Sequence, residues 1–512
     1  MANIYTEMTI LRRLFFILLL TFLTTNSYSQ SLVGTQSNYA GSRSLSMNPA
    51  LMSTSNLYFD FSVASLGLTF SNDFLYIKGV DLSKFFFTEE HPAPEYIIDD
   101  SYKSNFMIYD NPNFKPNNVY ESLDLNLLSF MYSIDAKQTV GFSLNGRAYT
   151  SGTNIPHDIP KLCVFGLEEE SLHGRYQSSD INVSTMEWAE LAFSYSREVY
   201  DRYLNRMDAG VSAKYLLGYS AAVANIKNLD YEIFSEDSVI VNNFDSEMAY
   251  SLPLNYNESF TSKSLFDKSL VRGNGLSFDI GISFTRKKNI VYNQPRLISS
   301  CMMPKVDYRW RISASLMDVG FINFNKNALK HEFVNDGSVN FDKTVFDNVE
   351  SFNDMVGFLS EIYYNGDSSA SIVGDKFKMG LPTTFRLQLD YNIVEHFYVN
   401  TTFIQPISLL KYSVKAAPQL LVEPRFESDY FDFSIPLTLR DYQHFMVGAS
   451  ARIGFITIGT QNLASYLGFG NVNGMDLFVS VKFNFAKGSC DVNKFDACWS
   501  ADYGHYKNRK RQ

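Results

Sequence analysis

"LFVSVKFNF", residues Leu477–Phe485, alternates apolar and polar side chains from Val479 onward. Leu477, Val479, Val481, Phe483 and Phe485 fall on one side; Ser480, Lys482 and Asn484 fall on the other. Successive side chains on a strand point to opposite faces, so the stretch reads as a strand with one apolar and one polar face. The same scheme recurs in "TFRLQLDY" (Thr384–Tyr391), "SFDIGISF" (Ser277–Phe284) and "RISASL" (Arg311–Leu316). Twelve such strands are expected, near 57–70, 122–134, 139–149, 188–199, 206–217, 275–285, 308–318, 384–391, 397–405, 430–439, 444–458 and 475–485.

Alternation alone does not separate a soluble sandwich from a membrane barrel; the connections do. Residues 135–138, 200–205, 392–396 and 440–443 are short, whereas 150–187, 218–274, 319–383 and 406–429 are long. Outer-membrane barrels alternate in this way, with short periplasmic turns and long extracellular loops. The expected fold is all-β: an antiparallel up-and-down transmembrane barrel of about 14 strands (12–16), with apolar faces on lipid and polar faces on the lumen. Both termini are then periplasmic, and 135–138 and 440–443 lie at their end. Tyr58, Phe59, Trp188, Trp310, Tyr398 and Phe485, near strand ends, are expected in the interfacial aromatic girdles.

The N-terminus fits an exported chain. Arg12 and Arg13 precede the apolar "LFFILLLTFL" (Leu14–Leu23), and Ser27 and Ser29 precede a cleavage site before Gln30. That apolar run is short for a membrane span, and no later run approaches ~20 apolar residues. The expected organisation is a signal peptide over 1–29, an N-terminal periplasmic or luminal segment over 30–55, the barrel over 56–486 and a periplasmic tail over 487–512. The 43 Phe and 32 Tyr suit a lipid-facing wall, and the net charge of −10 argues against a nucleic-acid partner. Of Cys163, Cys301, Cys490 and Cys498, only the last two are close enough in sequence for a small tail loop; free thiols are the alternative. "VESFNDMVGFLSEIYY" (Val349–Tyr364) has helical spacing.

In "MNPALMSTSN" (Met47–Asn56), Pro49 fixes its own φ and pushes Asn48 toward an extended conformation. Small residues follow. Asn48, Pro49 and Ala50 therefore read as a turn inside the lumen, aiming the chain from the interior to the wall. Asp60, Arg147, Lys214, Asp279, Arg311, Arg386, Asp390, Arg452 and Lys482 fall on polar faces and are expected to face the lumen. Their mixed signs suit ion-paired filling better than a single-ion filter. The seven His carry no H-E-x-x-H, and no G-x-S-x-G or phosphate loop occurs, so neither an enzyme nor a cofactor is expected.

"NYAGSRSLSMNPALM" (Asn38–Met52), "GLPTTFRLQLDYNI" (Gly380–Ile393), "RIGFITIGTQNL" (Arg452–Leu463) and "GMDLFVSVKFNF" (Gly474–Phe485) resemble, in this order, an uncharacterised outer-membrane barrel family of Bacteroidota, distantly similar to FadL- and PorV-type barrels. FadL-type barrels pass hydrophobic small molecules and PorV-type ones serve protein secretion. The resemblance implies outer-membrane lipid around the chain and either a small hydrophobic ligand or an envelope or secretion protein as partner. Two functions follow: passage of small apolar molecules, or a non-conducting scaffold in secretion, envelope assembly or surface contact.

Overall fold

Alternation governs burial strand by strand, with the sense of a soluble protein reversed. In the computed structural model, Phe385, Leu387, Leu389 and Tyr391 are exposed while Thr384, Gln388, Asp390 and Asn392 are buried. Phe278, Ile280, Ile282 and Phe284 are likewise exposed, and Ser277, Asp279, Ser283 and Thr285 buried. So broad an apolar exterior around a polar interior is matched to lipid rather than water. The structure describes residues 35 to 485, except 36, 56, 74–76, 79–116, 136, 161–172, 236–237, 260–268, 289–306, 336, 343–348, 429 and 470. The expected signal peptide over 1–29, all four cysteines and the expected tail 487–512 lie outside the described residues.

The strands follow in chain order. β1 (Phe59–Asn72), the short β2 (Ile77–Lys78), β3 (Asn117–Ser133) and β4 (Gln138–Ile155) precede two long strands, β5 (Gly174–Arg202) and β6 (Asn205–Ser235). Then come β7 (Ser238–Ser251), β8 (Gly273–Lys287), β9 (Tyr308–Phe324), β10 (Ala328–Asn335), β11 (Val339–Asp342), helix α1 (Phe352–Tyr363), β12 (Ile372–Gly374) and β13 (Phe377–Gly380). β14 (Thr384–Val394), β15 (Phe397–Pro406), β16 (Gln419–Glu427), β17 (Phe431–Ser434) and β18 (Leu437–Arg440) come next. The chain continues through β19 (His444–Val447), β20 (Ala449–Ile453), β21 (Ile456–Thr460), helix α2 (Leu463–Leu467), β22 (Asn471–Val472) and β23 (Gly474–Phe485).

β1 pairs with β3 on one side and with β23 on the other, so the sheet closes on itself. β13 with β14, β17 with β18, and β19 with β20 each form one interrupted stave, and the barrel has 14 staves. Closure pairs the backbone groups that lipid cannot satisfy. The break at Pro436, which has no N–H, is bridged by the Gly448 amide donating to its carbonyl at 2.8 Å. A Cβ at Gly448 would sit 2.0 Å from the Thr460 carbonyl oxygen, so only glycine fits this crossing.

β5 and β6 span 29 and 31 residues, against ~9–11 for a membrane-crossing strand. β6 pairs with β8 in the wall and with β7 farther up, and β7 continues onto β10 and β11. These strands form a tower at the long-loop end. α1 packs on it, with Val356 against Tyr250, Tyr256 and Phe333. Its N-terminus is a capping box of Ser351 and Asp354.

Several sequence expectations are corrected. The long connections 218–274 and 319–383 consist largely of tower strands. Residues 419–427 form a stave rather than a loop: Pro424 interrupts the donor pattern but β15 and β18 pair around it. Residues 456–460 form a stave of their own, separated by a tight turn at Gly454 with φ 58°. The turn 440–443 lies at the long-loop end, where Asp441 accepts from Asn118 and donates its amide to Pro418. Trp188 is not interfacial: it shares the inward face of β5 with Met186 and Glu190, is buried, and lies mid-strand because β5 runs back to Gly174. Tyr58 does sit outside near the short-turn end, edge-on to Tyr132.

The outward position of Leu387 makes it a probe of the lipid face. Leu387→Arg is expected to cost about 2–4 kcal/mol near mid-bilayer, read as a urea midpoint shift for refolding into vesicles. Gln388→Leu, facing inward, should not reproduce the loss of membrane insertion.

Candidate functional site

The lumen is filled in three layers. Nearest the short turns are two 3-10 turns, Gly41–Ser46 and Pro49–Thr54. Asn48 caps the second in an extended conformation, and its side-chain oxygen accepts from the Ala50 amide at 2.9 Å. Its amide nitrogen donates to the carbonyls of Ile282 and Ala314 at 3.3 and 3.2 Å, tying the turn to β8 and β9. Asn48, Pro49 and Ala50 are all buried inside the ring of strands.

The wall grips this segment from many sides. The Ser196 hydroxyl donates to the Ala50 carbonyl, Arg206 to that of Ser53 and Ser315 to that of Met47, at 3.2, 2.6 and 2.9 Å. Arg311 reaches the Thr54 hydroxyl at 2.8 Å, Lys482 the Ala40 carbonyl at 2.7 Å, and Arg386 the Ser46 carbonyl. Farther along, Asn38 donates to Glu427 at 2.9 Å. Gly210 and Gly281 make the room: a Cβ on either would meet Pro49, Ala50 or Asn48 within 2.6 Å.

The second layer is ionic. Arg147 contacts Asp124, Glu190 and Asp318 at 2.6, 3.3 and 2.9 Å. Lys214 bridges Asp279 and Asp318 at 2.8 and 2.6 Å. Nearer the short turns, around the N-terminal segment itself, Asp390 holds Arg311 at 3.2 Å and Arg425 at 2.8 Å, Lys482 pairs with Asp60 at 3.2 Å, and Arg452 with Asp432 at 2.5 Å. Each charge named from the sequence thus lies on the inner face, although Arg386 bonds to the N-terminal segment rather than to a carboxylate. Sequence reading missed Asp318, Glu190 and Arg425. Asp318 sits at φ 58°, where a β-bulge resets the alternation that would have flagged it. A cavity of about 50 Å³ remains here, lined by Arg147, Glu190, Lys214, Asp279, Asp318 and Arg386. That is water-sized space.

The third layer, toward the long loops, is apolar. Met186, Trp188, Leu216, Ile322, Phe324 and Met379 form its buried core. Residues 407–418 fold over it and cross to the opposite wall. There Lys415 donates to Ser151 on β4 at 3.0 Å, and Ser184 on β5 donates to the Ser413 carbonyl at 3.1 Å. On the near side, the Tyr412 carbonyl accepts from Gly380 at 2.8 Å. Lys411 and Tyr412 both donate to Glu247 on the tower at 2.6 Å. Burial pushes the Glu247 carboxyl up, but hydrogen bonds from Lys411, Tyr412 and Lys227 outweigh it and hold it at about 2. This latch therefore stays charged above that pH and fails only as pH falls through it. No described group of His, Cys, Asp and Glu is arranged to hold a metal ion.

No curated protein matches the chain. Among solved structures, a TodX mutant described as a monoaromatic hydrocarbon channel covers 90% of this chain and 98% of its own, at 10% identity and a TM-score of 0.39. A Pseudomonas aeruginosa FadL homologue covers 90% and 100%, at 9% identity and a TM-score of 0.28. The translocator domain of the Neisseria meningitidis autotransporter NalP covers 83% and 88%, at 6% identity and a TM-score of 0.29. At these values, what those proteins carry says nothing about this one. The sequence match is more decisive: over residues 49–461, most of its length, the chain belongs to a family of unknown function, DUF5723.

Proposed function

We propose that this chain is an outer-membrane barrel, with both termini periplasmic, that takes small apolar molecules into the outer part of its lumen and is closed in the resting state. One observation carries the reading. Barrel interiors are polar as a rule, yet here the inward positions nearest the long loops are Met186, Leu216, Ile322, Phe324 and Met379. Residues 407–418 cover them through hydrogen bonds and the Glu247 latch, so withdrawing this loop would expose an apolar chamber. The N-terminal segment closes the other end.

The test is uptake of radiolabelled oleate by outer-membrane-bearing cells that lack an apolar-uptake barrel of their own. Cells expressing the chain should accumulate oleate faster than vector controls. Glu247→Gln should raise the rate by about fivefold, for ~1 kcal/mol of latch energy lost. Phe324→Arg should abolish it. Uptake equal to the vector control, with a heat-modifiable barrel present, would overturn the proposal.

The tower favours a second reading, a non-conducting scaffold in secretion, envelope assembly or surface contact. Its sheet and α1 project well past what crossing a membrane needs. A polypeptide that co-purifies with the native protein, and is lost when residues 238–250 are deleted, would support this reading over transport.

A further inference from the structure

Strand register shows where the outer wall changes character. On the outward face, Tyr215 of β6 lies beside Leu276 of β8, which lies beside Phe321 of β9. One row nearer the long loops, Leu217, Asn274, Asn323 and Lys378 stand side by side on β6, β8, β9 and β13. Apolar side chains thus give way to amides and an ammonium within a single row. Lys376, exposed, immediately precedes β13 and is separated from Lys378 by buried Phe377, which points inward.

Both lysines are exposed. The Lys378 ammonium lies 4.9 Å from the centre of the Phe321 ring, at the top of the apolar band. Among the described residues neither lysine has an ion-pair partner, in contrast to Lys214, Lys227, Lys411 and Lys482. Asp375, exposed in the bend between β12 and β13, bonds to neither.

We propose that Lys376 and Lys378, with the Asn323 and Asn274 amides, form an external docking site for a phosphate-bearing lipid of the outward-facing leaflet. Two unneutralised cations and two hydrogen-bond donors face the level of the headgroups. The Phe321, Leu276 and Tyr215 side chains directly below offer the acyl chains an apolar track. Membrane phosphates supply the anion that this stretch of wall lacks. The lipid belongs to the exterior surface and is distinct from whatever occupies the lumen. The inference rests on the membrane placement proposed above. Its failure is separable, because the variants below still insert as barrels if only the lipid site is wrong.

The test is native mass spectrometry of the full chain in detergent, titrated in turn with lipid A, phosphatidylglycerol and phosphatidylcholine. Wild type should retain lipid A and phosphatidylglycerol in preference to phosphatidylcholine. Lys376→Gln with Lys378→Gln should weaken retention of the anionic lipids by about tenfold or more, as two lysines are removed from an anionic surface. Lys137→Gln, in the exposed turn at the opposite end of the barrel, should leave it unchanged. Inorganic phosphate should not displace bound lipid A. Retention unaffected by the double substitution, or equal retention of phosphatidylcholine, overturns the proposal. Displacement by inorganic phosphate alone overturns the lipid assignment.

Discussion

Replacing Gly210 and Gly281 together by valine should drive residues 41–54 out of the lumen while leaving the wall intact. A Cβ at Gly210 would lie 2.5 Å from the Ala50 nitrogen, and one at Gly281 would lie 1.9 Å from the Asn48 side-chain oxygen. Neither neighbour can yield locally, because Asn48 is itself held by the Ile282 and Ala314 carbonyls. Overpacking costs roughly 1–3 kcal/mol per site, and valine suits a strand. The segment, not the barrel, should therefore give way. A cysteine placed at Ala50 would measure this. Protected from a membrane-impermeant maleimide in the parent, it should react in the double variant like an exposed loop thiol. The heat-modifiable band should persist. Conductance should stay low even so, because the apolar layer and residues 407–418 form a second obstruction in series. Only the double variant combined with removal of 410–415 should conduct in planar bilayers. Continued protection of the cysteine in a folded double variant would mean that the glycines are not what admits the segment.

Asp390→Ala should be among the most destabilising single changes, at about 3–5 kcal/mol. Its carboxylate accepts from Arg425 at 3.0 and 2.8 Å, from Arg311 at 3.2 Å and from the Tyr308 hydroxyl at 2.6 Å. Without it, two buried guanidiniums face each other with half their compensation gone. Made together with Glu427→Gln, because Arg425 also neutralises that buried carboxylate at 2.5 Å, the triple change Asp390→Leu, Arg311→Leu, Arg425→Met should recover most of the loss, because an apolar patch of similar volume carries no desolvation cost. Urea midpoints for vesicle-refolded protein would show it. A combined variant as unstable as Asp390→Ala would assign the loss to packing instead of charge.

The barrel was legible because its signal is local. Period-two alternation in Leu387–Tyr391 or Phe278–Phe284 needs no knowledge of the rest of the chain, and loop parity then suggests closure. What escaped reading depends on irregularity or distance. Asp318 lies at a bulge in β9 that shifts the face of every later residue, and Trp188 reads as a strand end only until β5 is seen to run back to Gly174. β16 contains Pro424, which reads as a loop until β15 and β18 are seen on either side. The turn at 440–443 is as short as the turns of the opposite end, so length misplaced it. The contacts of Asn48 lie more than 230 residues away in sequence; the restricted Asn48–Pro49 step was visible, but the glycines opposite it were not.

β6 has a mechanical consequence. The same uninterrupted strand carries Arg206 and Gly210 beside the N-terminal segment, Lys214 in the ionic layer, Leu216 in the apolar layer and Tyr231 in the tower. At ~3.3 Å per residue its 31 residues make a mast about 100 Å long, stepped into the hull with no hinge. A load applied at the tip, by shear or by a gripping partner, cannot be absorbed by a flexible linker. It must reach the ladders that flank Arg206 and Gly210, so that a tug on the tower is felt at the short-turn mouth.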